Sequence, residues 1–442
     1  VKPEAQWSKF PAAPSTVGRF SLGVFSVGVA AAGFAIAFRW LLSAVVRYAT
    51  HTGDVVSAMR SLPIGLRFAV PALGGLVAGV SSLVVRRIGH NQGVSDVMEA
   101  VVLGRVRLSM RVTLLRSFAS WCAIVTGGSL GREGPLIQFG GAIAEVIGRR
   151  LQLSATQTRR LIAAGVAAGF AAAYNTPFAA VLFVIEVVTG VIVLDAILPA
   201  LVATTIATAL TRAAVGEGAI YGQRVFQLQS PLELIAFAGL GIVAALISQG
   251  FMRALSLGER AFRRSWLGLP WRPALGGLVA GACAMLVPEV SGNGYEPLNI
   301  LLDGEFAAGF VLLLLLGKIV ATTASVSSGS PGGVFTPTLL IGGATGFLYA
   351  SLLQHVVRLG PPGGYALVGM AAATAATTHA PLMAAVLVFE LSGDYAIALP
   401  LVLATALATL VSRALRRDSI YAAELKQRGV GWELTMEGRR IS

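Results

Sequence analysis

Long apolar runs alternate with short polar interruptions along the whole chain. The runs fall at 21–45, 65–85, 162–185, 192–210, 232–250, 273–287, 306–316, 364–389 and 396–412. About 20 apolar residues span the hydrocarbon core of a bilayer, so the pattern predicts a multi-span membrane protein with length for roughly ten or more crossings. No stretch of 50 polar residues interrupts it, so a separate soluble domain is not expected and the termini read as short. The first 20 residues carry Lys2, Lys9 and Arg19 with no small-residue cleavage site, which predicts an uncleaved first helix in place of a signal peptide.

The pattern repeats. PALGGLVAG occurs at 71–79 and again at 273–281, 202 positions later. Gly93 in NQGVSD corresponds to Gly294 in GNGYEP, and GPLIQFGGA at 134–142 to TPTLLIGGA at 336–344. NTPFAAVLFVIE at 175–186 corresponds to HAPLMAAVLVFE at 379–390, with nine positions from Pro177 to Glu186 and from Pro381 to Glu390. Arg116 and Lys318, each a lone base in an apolar stretch, are also 202 apart. Two copies of a unit of about 200 residues describe a transporter or channel with its site at the repeat interface, built from interrupted helices. The pattern alone leaves parallel and inverted copies both open.

The interruptions are rich in glycine and proline: Thr126-Gly-Gly-Ser-Leu-Gly-Arg-Glu-Gly-Pro135, Ser327-Ser-Gly-Ser-Pro-Gly-Gly-Val-Phe-Thr-Pro337, and the shorter pair Asn91-Gln-Gly-Val-Ser95 and Ser291-Gly-Asn-Gly-Tyr295. These residues break one helix and suit the first turn of the next. Each motif therefore predicts a helix that starts inside the membrane. A helix start presents unpaired N–H groups and a partial positive charge, and several together make an anion site without a contacting lysine or arginine. Arg116 and Lys318 would raise the potential without touching the ion. Glu133 lies at one of these starts. A carboxylate in apolar sequence is costly, which makes it a functional candidate, able to occupy an anion site itself. A salt bridge to Arg132 is the plainer alternative.

Composition narrows the class. The chain of 442 residues is 55% apolar and 12% charged, with 52 glycines and a net charge of +13. A soluble enzyme carries about 25% charged residues, and a disordered chain lacks this apolar content. The excess arginine sits at segment edges such as Arg86-Arg87, Arg149-Arg150 and Arg416-Arg417, which reads as membrane topology, and nucleic-acid binding is not expected. Cys122 and Cys283 form no CxxC pair. The four histidines, His51, His90, His355 and His379, have no metal-ligand spacing, so neither metal nor cofactor is expected. Gly127-Gly-Ser129-Leu-Gly131 fits the GxSxG pattern, with His379 as a distant partner, but no strand surrounds it, so an enzyme is not expected.

GREGP at 131–135, GSPGGVFTP at 329–337, the segment from Asn175 to Glu186 and Asp418-Ser-Ile-Tyr421 resemble the CLC family of chloride channels and transporters, over roughly residues 20–425. GNGY, THAP and RDSIY point to a bacterial branch of it. The resemblance implies an all-α membrane fold of two inverted repeats with 18 helices and broken half-helices. It implies a homodimer with one pore per subunit, in a bacterial inner membrane. It divides the chain into a cytoplasmic segment 1–20, repeats 21–225 and 226–425, and a cytoplasmic tail 426–442, without a CBS domain. Glu133 resembles the external gating glutamate. Backbone N–H groups around Arg132, Glu133 and Gly134, and of Val334 and Phe335, would line the anion sites, with the Tyr421 hydroxyl aimed at the central anion.

Two positions depart from the family pattern. The Gly-Ser-Gly-Ile-Pro motif becomes Asn91-Gln-Gly-Val-Ser95, so the anion-binding serine falls on Gln92, followed by Gly93. The Gln92 amide would replace the serine hydroxyl, with Ser95 a substitute if the register slips. The inner proton-relay glutamate falls on Val187, which cannot carry a proton, although Glu186 beside it could substitute. The resemblance thus implies passive chloride conduction. Chloride/proton exchange by a non-standard proton path, and preference for nitrate or fluoride, stay open as alternatives.

Overall fold

The computed structural model describes residues 14–89, 92–104, 106–216, 221, 222, 224, 226, 228, 230–427, 432–435 and 438–441. Lys2, Lys9, His90 and Asn91 lie outside the described residues, as does most of segment 1–20. Among those described, the first half holds α1 (Pro14–Thr50), α2 (Val55–Ser61), α3 (Ile64–Ile88), α4 (Val94–Val102), α5 (Met110–Val125), α6 (Glu133–Arg150), α7 (Ala155–Tyr174), α8 (Pro177–Leu182) and α9 (Leu194–Val215). The second half holds α10 (Glu233–Arg264), α11 (Trp271–Leu286), α12 (Tyr295–Leu302), α13 (Ala308–Ser327), α14 (Phe335–Leu353), α15 (Pro362–Thr378), α16 (Pro381–Ser392), α17 (Ala398–Leu415) and α18 (Ile420–Gln427). A short antiparallel hairpin, Trp432–Thr435 with Gly438–Ile441, follows in the tail and is the one pair of strands among the described residues.

The repeated PALGGLVAG sits on α3 and α11, and it decides how the two copies are related. These helices approach so closely that a side chain on Gly75 would overlap the Pro273 carbonyl, and one on Gly79 the Pro270 carbonyl. Reciprocally, Gly277 meets the Pro71 carbonyl and Gly281 that of Phe68. As the position rises along α3 it falls along α11, so equivalent helices run antiparallel and the repeats are inverted. Small residues permit this contact, which in lipid must come from close backbone packing because apolar burial gives no advantage there. The same device recurs within each repeat. Gly140 on α6 meets the Gly165 carbonyl on α7, and Gly342 on α14 meets that of Gly369 on α15.

Seven helical segments among the described residues are long and apolar enough to cross a membrane, fewer than the apolar run lengths predict. Part of the difference lies in broken helices, and α11 is an unbroken helix of only 16 residues. Runs 162–185 and 364–389 each divide in two, because Asn175 and His379 adopt left-handed backbone (φ 58° and 59°) and close α7 and α15, while Pro177 and Pro381 begin the next helices. Proline disfavours helical backbone at the residue before it, and asparagine tolerates the left-handed cap.

Candidate functional site

All four glycine-rich motifs end where a helix begins. α4 starts at Val94 after Gly93, α6 at Glu133 after Arg132, α12 at Tyr295 after Gly294, and α14 at Phe335 after Val334. The loops that lead into α6 and α14 are clipped together. The Gly131 N–H donates to the Gly333 carbonyl at 2.7 Å, and the Gly333 N–H returns a bond to the Gly131 carbonyl at 2.8 Å. A side chain on Gly333 would meet the Glu133 carboxyl group, which would have to leave its present place.

Glu133 is 1% exposed. Its Oε1 accepts from the Phe335 N–H at 2.8 Å and its Oε2 from the Thr336 hydroxyl at 2.9 Å. The carboxylate of one repeat thus sits on the first turn of α14 in the other, where a helix start favours negative charge. Thr336 also hydrogen-bonds the Tyr174 hydroxyl at 3.0 Å. Arg132 turns elsewhere: its guanidinium lies 4.7 Å from the Tyr295 ring centroid and donates to the Ala173 carbonyl at 3.4 Å.

A cavity of about 550 Å³ opens beside Glu133. Three of the four helix starts wall it: Gly93 and Val94, Glu133 to Pro135, and Gly332 to Val334. Tyr421 on α18 lines it too. The wall also carries Arg116, Arg416, Ser256, Ser327, Glu424 and Arg263, the last paired with Glu259 at 3.6 Å. The start of α12 does not line this cavity, nor do the side chains of Arg132 and Phe335.

Arg116 and Lys318 occupy equivalent positions but different surroundings. Arg116 reaches the cavity wall. Lys318 is fully buried, and its Nζ donates to the Val290 carbonyl at 2.9 Å and the Gly292 carbonyl at 3.1 Å, in the turn before α12. Gln92 is likewise committed to backbone. Its Nε2 donates to the Arg107 carbonyl at 2.7 Å and its Oε1 accepts from the Ser109 N–H at 2.9 Å. The Gly93 N–H donates to Asp96 at 2.6 Å, which caps α4. Ser95 is buried, and its hydroxyl is outside the cavity wall.

Glu186 and Glu390 form a reciprocal pair that sequence reading saw only as matched spacing. Glu186 accepts from the Leu382 and Met383 N–H groups at the start of α16, at 3.3 and 2.7 Å. Glu390 accepts from the Phe178 and Ala179 N–H groups at the start of α8, at 3.2 and 2.8 Å. Val187 is buried in a π-helical segment, Phe183–Thr189, that continues α8. Its cause is visible in the sequence: Pro177 to Gly190 is one residue longer than Pro381 to Gly393, and a π turn absorbs one extra residue.

Ser129 and His379 are held by different partners, the Ser129 hydroxyl by Thr322 at 2.8 Å and the His379 Nε2 by Ser412 at 3.2 Å. Cys122 and Cys283 are free thiols. No group of three or more metal-ligating side chains occurs among the described residues. Thr336 and Tyr174, which complete the surroundings of Glu133, carry no signal of their own in the sequence beyond their neighbourhood: Thr336 lies within the motif 327–337 and Tyr174 directly before the repeated segment at Asn175.

Residues 74–413 match the family model for voltage-gated chloride channels. A ClcB-like chloride channel protein of Ralstonia nicotianae is 38% identical over 398 residues, 88% of this chain and 92% of the relative. The voltage-gated ClC-type chloride channel ClcB of Salmonella typhimurium is 32% identical over 382 residues, 84% of this chain and 90% of the relative. Among solved structures, a slow cyanobacterial Cl⁻/H⁺ antiporter superposes with TM-score 0.82 at 23% identity, over 95% of this chain and 99% of that one. A CLC-type fluoride/proton antiporter superposes with TM-score 0.75 at 24% identity, over 92% of this chain and 97% of that one.

Proposed function

We propose that this chain, which belongs to the CLC family of chloride channels and transporters and to its bacterial ClcB-like branch, conducts chloride or a similar small anion passively. The observation that carries the reading is the seat of Glu133 on the Phe335 N–H at the start of α14. That seat suits any small anion, and the carboxylate occupies it.

In this reading the anion is drawn into the cavity by Arg116 and Arg416 on its wall. It sheds part of its water, replaced by N–H groups at the starts of α4, α6 and α14 and by the Tyr421 hydroxyl. Partial charges hold it firmly enough to enter and weakly enough to leave. Glu133 blocks the outer end when ionised. Protonation, or displacement by an incoming anion, swings it away. In this reading the cavity opens to the cytoplasm of a bacterial inner membrane, in keeping with the bias of basic residues. Apolar side chains at equivalent positions, Phe178 with Leu382 and Leu198 with Val402, are exposed and form the contact face of a homodimer.

Proton coupling is the second reading. Two proteins of the same fold are antiporters, and Glu186 stands next to the relay position. Passive conduction is favoured because Val187 cannot exchange a proton and because Glu186 is engaged as a helix cap. Purified protein in liposomes, with chloride and proton fluxes read together, separates the two. Chloride flux without uphill proton movement is expected; protons driven against their gradient by chloride would assign exchange.

A further inference from the structure

Helices α10 and α17 run parallel and in register. A side chain on Gly241 would meet the Ala404 carbonyl, and the Gln249 amide donates to the Ser412 hydroxyl at 2.6 Å, in both cases 163 positions apart. The same offset sets Arg253 level with Arg416. There α17 stops: Leu415 is its last residue, and Arg416 caps it with extended backbone (φ −151°, ψ 123°). α10 runs on to Arg264. Past this point one stripe of α10, with Arg253, Leu257 and Arg260 at helical spacing, has lost the neighbour that covers its earlier part.

Two hollows open in the space so left. The walls of one, of about 440 Å³, include Arg253, Ser256, Leu257, Arg260, Leu415 and Arg416. The other, of about 310 Å³, continues from Arg260 and Arg416 to Arg263 and Lys426. Arg263 is paired with Glu259 at 3.6 Å and Lys426 with Asp418 at 3.1 Å. Arg253, Arg260 and Arg416 form no ion pair among the described residues. No acid among those residues walls the first hollow, and the acid that walls the second is the Asp418 held by Lys426. Apolar groups share the wall: Leu257 is 60% exposed and Leu415 48%. Depth fits as well. Residues 234–252 of α10 carry no charge and have the length of a membrane span, so Arg253 falls where hydrocarbon gives way to headgroups.

We propose that the hollow between Arg253, Arg260 and Arg416 binds the phosphate headgroup of an anionic lipid, with the acyl chains against Leu257 and Leu415. Guanidinium forks match phosphate oxygens, and three forks around one group ask for several oxygens, which a halide lacks. Basic pockets between membrane helices at headgroup depth suit such lipids. Arg416 and Ser256 also wall the large cavity beside Glu133. A bound headgroup therefore occupies a cation that draws anions in, and it reduces anion entry. That regulation rests on the conduction reading; the binding site stands on the geometry of α10 and α17.

Native mass spectrometry of the full-length protein in detergent tests the site, with phosphatidylglycerol as the probe and phosphatidylcholine of the same chains as its net-neutral counterpart. Retention of phosphatidylglycerol is expected, weakened about tenfold in Arg253→Gln plus Arg260→Gln, in keeping with the loss of two surface arginines beside an anionic headgroup. Arg86→Gln plus Arg87→Gln removes the same charge from the end of α3 and should leave retention unchanged. Equal loss in both double variants, or equal retention of the two lipids, overturns the site. Inorganic phosphate that displaces phosphatidylglycerol at equal concentration also overturns it, and assigns the hollow to a free ion. In liposomes, phosphatidylglycerol should lower chloride flux more in the wild type than in the Arg253 and Arg260 double variant. That variant should match the wild type in pure phosphatidylcholine, because neither arginine walls the large cavity. An equal fall in both proteins overturns the regulation. Absence of chloride flux in every vesicle overturns the conduction reading instead, and lipid retention in detergent still decides the site.

Discussion

The Glu133 carboxylate accepts a hydrogen bond from the Phe335 N–H, 2.8 Å away, although 202 positions separate the two residues in the chain. The contact joins the start of α6 in one repeat to the start of α14 in the other. If the carboxylate blocks the anion pathway there, Glu133→Ala yields a chloride flux that is constitutively high and only weakly dependent on pH, measured in liposomes. A closed variant, or one with the wild-type pH response, would remove Glu133 from the gate.

Glu186 and Glu390 each bridge to the other repeat, and their four N–H contacts are the same by symmetry. Glu186→Gln and Glu390→Gln should therefore each lower stability by about 1–2 kcal/mol, the range for a lost helix cap, seen as similar falls in thermal unfolding temperature in detergent. A proton-relay role for Glu186 gives a different result: Glu186→Gln alone abolishes proton movement while Glu390→Gln does not.

Val187 lies within the π turn created by the extra residue before Gly190. Val187→Glu is expected to leave flux uncoupled, because a carboxylate added to a buried position without built partners is costly and stays protonated or misplaced. Simultaneous recording of pH and chloride checks this; strict coupling in the single variant would show that the relay position alone decides exchange.

Gly75 and Gly277 let α3 and α11 touch backbone to backbone. Gly75→Ala should destabilise the fold by about 1–3 kcal/mol through overpacking, with Gly75→Ala plus Gly277→Ala worse than either alone. Gly33→Ala is the control, since nothing lies within 4 Å of the added methyl. That change should be neutral or slightly stabilising, by up to about 1 kcal/mol from helix propensity. Yield of folded protein and unfolding temperature report both.

Gln92 ties Arg107 and Ser109 to the start of α4 through its amide. Gln92→Ala is expected to cost about 1–3 kcal/mol, because the Ser109 N–H and the Arg107 carbonyl lose their partner, while the order of preference among chloride, nitrate and fluoride is retained. A changed anion order at unchanged stability would place the amide at the ion instead.

Much of this molecule was legible in one dimension. Apolar run lengths identify a membrane protein, because the bilayer imposes a fixed span. The repeat at an offset of 202 identifies two copies, and the Gly/Pro motifs locate four helix starts, because those residues act through their own backbone restrictions. The position of Glu133 at one such start was likewise readable. Partnership was not. Whether the copies are inverted follows from Gly75 meeting Pro273 while Gly79 meets Pro270, a relation between distant segments. Arg116 and Lys318 look equivalent in sequence, yet one lines the cavity and the other is spent on two carbonyls. Gln92, aligned with an anion-binding serine, is spent on backbone as well, its amide bonded to the Arg107 carbonyl and the Ser109 N–H. Local restriction is written residue by residue, whereas a side chain's partner depends on which segments the fold brings beside it, and only the tertiary structure decided that.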